Sequence, residues 1–148
     1  MISLPLDESP SFWVYRAHTQ EINLFRKTLL AAGYDLTPEQ CGVLVRLRDI
    51  QGINQSQLGK RLYKDRHSIT RILDCLGEHG YIERRPDETD RRVFRIFLTE
   101  SGGDLADNLA PLIARHHDRV FSGLADEEIL SMRKTLERIL RNIEENGR

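Results

Sequence analysis

The stretch Asp65–Gly80 reads DRHSITRILDCLGEHG, and its pattern decides the fold. Ile69, Ile72, Leu73 and Leu76 fall at i, i+3, i+4 and i+7, the stripe of a helix with one buried face. Asp65 is placed to cap the first turn, and Gly80 to end the last one in the left-handed region. The outward face carries Arg66, His67, Ser68, Thr70 and Arg71, with Lys64 just ahead of it. Such side chains donate to phosphates, and Arg66 and Arg71 could fork onto guanine edges. They gather in the first two turns, the end that a helix-turn-helix reader pushes into a major groove. An ordinary surface helix with solvated charges fits as well, so the surroundings must choose.

Immediately upstream, Asn54 and Gln57 form a capping pair for a short helix through Leu58 and Leu62. Only Tyr63 and Lys64 separate it from Asp65. Two short helices joined this tightly read as a helix-turn-helix. Thr37-Pro38-Glu39-Gln40 is a strong start signal for another helix running to about Asp49, with Val43, Leu44 and Leu47 inward. Downstream of Gly80 the period changes to two. Tyr81–Arg85 and Val93–Leu98 are candidate strands, the second with Phe94, Ile96 and Leu98 on one side and Arg95 on the other. Between them PDETDRR reads as a charged loop, so the pair predicts a hairpin with an extended tip.

Long helices flank this module. Residues 11–32 carry Tyr15, His18, Ile22, Phe25 and Leu29 at steps of three and four, ending at Gly33. Thr99 caps a helix from Glu100 to about Ser122, despite Gly102 and Gly103 in its first turn and Pro111, which should kink it or remove one hydrogen bond. From Asp126, Ile129, Met132, Leu136, Ile139 and Ile143 form the clearest heptad seam. These helices hold more apolar seam than the small central module can cover. A second copy of the chain, or an intramolecular bundle, would cover it.

The 148 residues carry a formal net charge of −1, which argues against binding nucleic acid through bulk charge. Lys60 to Arg95 nevertheless holds ten Lys/Arg against seven Asp/Glu, a local net of +3. No apolar run approaches the ~20 residues of a membrane span. The N-terminal MISLPLDESPSFW lacks the basic-then-apolar order of a secretory signal. Cys41 and Cys75 have no CxxC spacing. A reducing cytoplasm is the expected compartment.

The run NQSQLGKRLYKDRHSITRILDCLGEHGYIERRPDETDRRVFRIFLTESG resembles the MarR family of bacterial transcriptional regulators. DETDRR…LTESG is the most specific part, matching that family's wing and the start of the helix after it. The resemblance implies a mainly α fold with a small β-hairpin wing, a winged helix-turn-helix with long terminal dimerisation helices. The chain would be one regulator domain, with about 37–99 binding double-stranded DNA and about 11–32 and 100–145 forming a homodimer. It implies a recognition helix bearing Lys64, Arg66, His67, Ser68, Thr70 and Arg71, and a wing tip of Asp90, Arg91 and Arg92. In an extended tip Asp90 and Arg92 leave the same side, so the carboxylate could hold the guanidinium in a fork. It further implies a ligand-responsive repressor released by a small aromatic or lipophilic acid, near Phe12, Arg16, Cys41 and His116.

Other chemistries find less support. No phosphate-binding glycine motif, nucleophile elbow or His-Glu-x-x-His is present, and the adjacent His116 and His117 point about 100° apart on a helix. Neither catalysis, a metal nor a cofactor is expected. His18 and His116 interrupt apolar seams, either as packing histidines or as polar anchors in a cavity. Cys41 and Cys75 sit by buried faces, where free cysteine is often a small core residue. A thiol-sensing regulator of the same fold, and a non-DNA-binding scaffold, are the alternatives.

Overall fold

The computed structural model describes residues 5–147; residues 1–4, part of the stretch read for a secretory signal, lie outside them, as does residue 148. After a single 3-10 turn at Leu6–Glu8 come α1 (Pro10–Ala31), α2 (Pro38–Asp49), β1 (Ile53–Asn54), α3 (Gln55–Arg61) and α4 (Arg66–Glu78). β2 (Ile82–Pro86), β3 (Phe94–Leu98), α5 (Glu100–Val120) and α6 (Asp126–Asn146) follow. The chain divides into two compact units, one through Ala114 and one from Arg115 onward, and α5 contributes to both.

Local chemistry sets the helix starts of the first unit. Thr37 Oγ1 accepts from Gln40 N–H at 3.2 Å while Thr37 N–H donates to Gln40 Oε1 at 2.7 Å, the full capping box. Asn54 and Gln57 repeat the arrangement for α3 at 2.9 and 3.3 Å. Asp65 caps α4 by accepting Ser68 N–H at 2.9 Å, and that bond holds its carboxyl below the usual carboxylate range. Gly80 takes φ +73° just past the end of α4.

The four residues of the opening stripe, Ile69, Ile72, Leu73 and Leu76, are all buried. They pack with Phe25 and Leu29 of α1, Leu44 and Leu47 of α2, Leu58 of α3, Ile82, Ile96 and Leu98 of the sheet, and Leu109 of α5. Each such side chain contributes about 1.5–3 kcal/mol by leaving water. The core therefore clamps α4 on its inner face and leaves the outer one bare.

The wing differs from the predicted hairpin. Ile53–Asn54 adds a third strand, giving the antiparallel order β1-β3-β2 with Ile53 opposite Ile96. Two residues show no periodicity, so this strand had no signal of its own. Phe94 does not join Ile96 and Leu98 inside; it pairs with Pro86 at the free end of the ladder, beyond the core, and is exposed. In α1 only Phe25 and Leu29 of the expected seam are buried, whereas Tyr15 and His18 are exposed.

α5 runs unbroken through Pro111. Its first turn lies against the corner between α4 and β2. Thr99 Oγ1 and Ser101 Oγ donate to Gly80 O at 2.6 and 3.1 Å, and Thr99 N–H donates to Tyr81 O at 3.1 Å. A Cβ on Gly102 would come within 1.8 Å of Tyr81 O, so the close approach requires glycine. In the second unit, His116 is buried while α6 buries no residue. Leu130, Met132, Ile139, Leu140 and Ile143 of α6 are exposed.

Candidate nucleic-acid interface

The turn between α3 and α4 fixes how the second helix is presented. Tyr63 adopts φ +52°, unusual for a residue with a side chain, and Lys64 N–H donates to Gly59 O at 2.9 Å. A Cβ on Gly59 would stand 3.2 Å from Lys64 O, so the missing side chain lets the turn close against α3. The Tyr63 ring is thrown outward, 81 % exposed.

Beyond this turn Arg66, His67 and Arg71 are exposed and Lys64 is half-buried. Among the described residues no hydrogen bond or ion pair engages these four side chains. The two hydroxyls of the same surface are already committed. Ser68 Oγ donates to Asp65 Oδ2 at 2.7 Å. Thr70 Oγ1 donates to Arg66 O at 2.6 Å and accepts from Gln55 Nε2 at 2.6 Å.

A concavity of about 840 Å³ lies between α3, α4 and the sheet. Gln55, Lys60, Lys64, Arg66, Thr70 and Arg92 line it, with Phe94. Asp74 is the acidic residue of this wall, and Arg84 of β2 pairs with it at 2.6 Å, tying sheet to helix and offsetting its charge.

The wing tip is built around Asp87, which the sequence presents as one more loop acid and the structure buries. Its Oδ1 accepts from Thr89 Oγ1 at 2.6 Å, Thr89 N–H at 2.8 Å and Asp90 N–H at 3.2 Å. Its Oδ2 pairs with Arg95, whose Nη1 donates to Gly52 O at 2.7 Å. The Thr89 hydroxyl first, then these N–H groups and the guanidinium, hold the Asp87 carboxyl well below the usual range. Pro86-Asp87-x-Thr89 was the available signal, since Asp bonds the backbone two residues on in turns.

The Asp90–Arg92 fork does not form. The tip is a turn closed by Val93 N–H donating to Asp90 O at 2.9 Å, so the extended spacing assumed for it does not apply. Asp90 Oδ1 accepts the Arg92 backbone N–H at 3.0 Å, while Arg92 Nε stays 3.8 Å away, beyond hydrogen-bond range. Asp90 thus shapes the turn, and Arg92, 95 % exposed, projects from it beside exposed Arg91.

The four residues nominated for an effector are spread over both units. In the first, Phe12 meets Trp13 edge-on at 5.8 Å, exposed Arg16 lies 5.2 Å over the Trp13 ring, and Cys41 is fully buried. Burial pushes the Cys41 thiol up to about 12. His116 belongs to the second. Among the described residues no group of three or more His, Cys, Asp or Glu could hold a metal, and no helix is long and apolar enough to cross a membrane.

Comparison with known proteins converges on one family. The MarR family model matches residues 36–94. YybA of Bacillus subtilis, an uncharacterized helix-turn-helix-type transcriptional regulator, is 32% identical over 114 residues, covering 74% of this chain and 73% of that protein. A mutant MarR of Escherichia coli, complexed with operator DNA, superposes with a TM-score of 0.79 at 26% identity, covering 86% of this chain and 91% of the other. The PcaV transcriptional regulator of Streptomyces coelicolor, in complex with its natural ligand, gives 0.83 at 25% identity, covering 95% and 98%.

Proposed function

The chain belongs to the MarR family, and we propose that it is a ligand-responsive transcriptional repressor that binds a pseudo-palindromic duplex DNA site as a homodimer. The observation that carries this reading is the outer face of α4, where Arg66, His67 and Arg71, with Lys64 in the turn before them, have no side-chain partner among the described residues while the inner face is locked in the core. A helix held so firmly and left cationic on its open side is suited to a major groove. Arg92 on the wing extends the same charge toward a neighbouring minor groove, where negative potential draws arginine. A protein-interaction scaffold would leave these cations unexplained.

Homodimerisation is supported by α6, where Met132, Ile139 and Ile143 of the heptad seam are exposed and Ile129 and Leu136 half-buried, and by exposed Trp13, Val14 and Tyr15 on α1. Two-fold symmetry then requires inverted half-sites about one helical turn apart, roughly 34 Å centre to centre. For the effector we propose a small aromatic or lipophilic acid. Arg16 is exposed over the Trp13 ring and suits its carboxylate, and Phe12, edge-on to the same ring, suits its apolar part. The protein would act in the cytoplasm, with no catalytic role.

Selection of bound sequences from a random duplex pool tests the reading. Recovery of an inverted repeat with that spacing supports it; an unselected pool refutes it.

A further inference from the structure

Thr70 stands where a base-reading hydroxyl would, on the outer side of the second turn of α4. Its hydroxyl has one proton, and that proton goes to Arg66 O at 2.6 Å. Toward Gln55, also 2.6 Å away, Thr70 Oγ1 can therefore only accept. The carboxamide orientation of Gln55 follows from this chemistry: the NH₂ must face Thr70, and the flipped amide would set two acceptors against each other.

One Gln55 N–H is thus used. The other N–H and the carbonyl oxygen have no partner among the described residues. Gln55 is half-buried at the start of α3 and lines the concavity that also presents Lys64, Arg66 and Arg92. A fixed amide with one donor and one acceptor side by side matches the N7 acceptor and N6 donor that adenine shows in the major groove. A phosphate offers acceptors only and would leave the carbonyl facing a negative charge.

We propose that Gln55 is a specificity-determining residue that reads adenine in each half-site, with Thr70 as the positioning residue that fixes its amide. The proposal rests on the DNA-binding reading above. It adds to α4 a base-reading residue from the preceding helix, beside a Thr70 hydroxyl that is spent inside the protein. Fifteen residues separate the two in sequence.

The test uses duplexes selected from a random pool by the full-length protein, then varied one base pair at a time. Selection of no preferred site by the wild-type protein would fail the DNA-binding reading itself, before Gln55 is tested. Given a site, Gln55→Ala should lose roughly tenfold or more discrimination at one adenine position per half-site, the scale of a bidentate pair, and keep the others. Thr70→Val should flatten the same position, Thr70→Ser should restore it, and the Gln55→Ala/Thr70→Val double variant should be no worse than Gln55→Ala alone. Uniform weakening across all duplexes by Gln55→Ala would show a phosphate contact and overturn the proposal. Additive losses at different positions would overturn the positioning role of Thr70.

Discussion

Adjacent glycines in the first turn of α5 should respond oppositely to the same substitution. Gly102→Ala places a Cβ 1.8 Å from Tyr81 O and 2.8 Å from Tyr81 C, both backbone atoms that no rotamer change can move. Gly103→Ala meets only the Arg48 Nη1 atom at 3.9 Å, an ordinary contact. Relieving the first overlap means moving α5 by more than an ångström. That strains the Thr99 N–H bond to Tyr81 O and the two hydroxyl bonds to Gly80 O. Three bonds at about 1 kcal/mol each, less up to about 1 kcal/mol regained in helix propensity, leave a loss of about 2 kcal/mol. For a chain of this length that lowers Tm by roughly 4–8 °C. Gly103→Ala should instead be neutral or raise Tm by a few degrees. Because the displaced corner carries the end of α4, Gly102→Ala should also weaken DNA binding, and Gly103→Ala should not. Thermal melting of the two variants side by side is the assay. Equal behaviour in the two, in either direction, would refute the close-approach argument.

Four further outcomes follow from the geometry. Arg92→Ala should weaken DNA binding and flatten its salt dependence while leaving Tm nearly unchanged, because so exposed a pairing is worth about 0–1 kcal/mol; a large fall in Tm would mean that it holds the wing together. The ordinary carboxylate value is about 3.9, and Asp87 sits below it, so its stabilising contribution is complete at neutral pH. It declines as pH falls below about 4 and is gone once pH passes the lower folded value, so protection of the Thr89 and Asp90 amides in hydrogen exchange should fail on that acid side; loss toward alkaline pH instead would reverse the assignment. Iodoacetamide at pH 8 should leave Cys41 of the native protein unlabelled, since its thiol is buried and pushed up to about 12; rapid labelling would reopen thiol sensing. Ile143→Glu on the exposed seam of α6 should sediment as a monomer at micromolar concentration, and an unchanged dimer would place the interface elsewhere.

What could be read from the residues alone was mostly what chemistry settles within a turn. Thr37 and Gln40, Asn54 and Gln57, and Asp65 and Ser68 each stand three positions apart, so their caps were visible in the sequence and are formed in the structure. The stripe of α4 is visible for a related reason, because one helix face decides burial for Ile69, Ile72, Leu73 and Leu76 together. Contacts made only by folding were not visible. β1 is too short to show a period, and Ile53 is a strand residue only because Ile96 lies across from it. Gln55 and Thr70 meet because the turn at Tyr63 folds α3 against α4. Asp87 resembled its solvated neighbours Glu88 and Asp90 until Arg95, eight residues on, closed over it. The Asp90–Arg92 expectation failed at its geometric premise, since the tip turns where an extended strand was assumed.

In the function proposed above, the outer face of α4 recognises a particular DNA sequence. Its most direct test is a titration of the wild-type protein against the selected duplex and a scrambled duplex of equal length and composition, at physiological salt. Specific recognition predicts a preference of at least about a thousandfold. Equal affinity for the two duplexes, lost together as salt is raised, would show that the cations of α4 meet only phosphates and would contradict the claim.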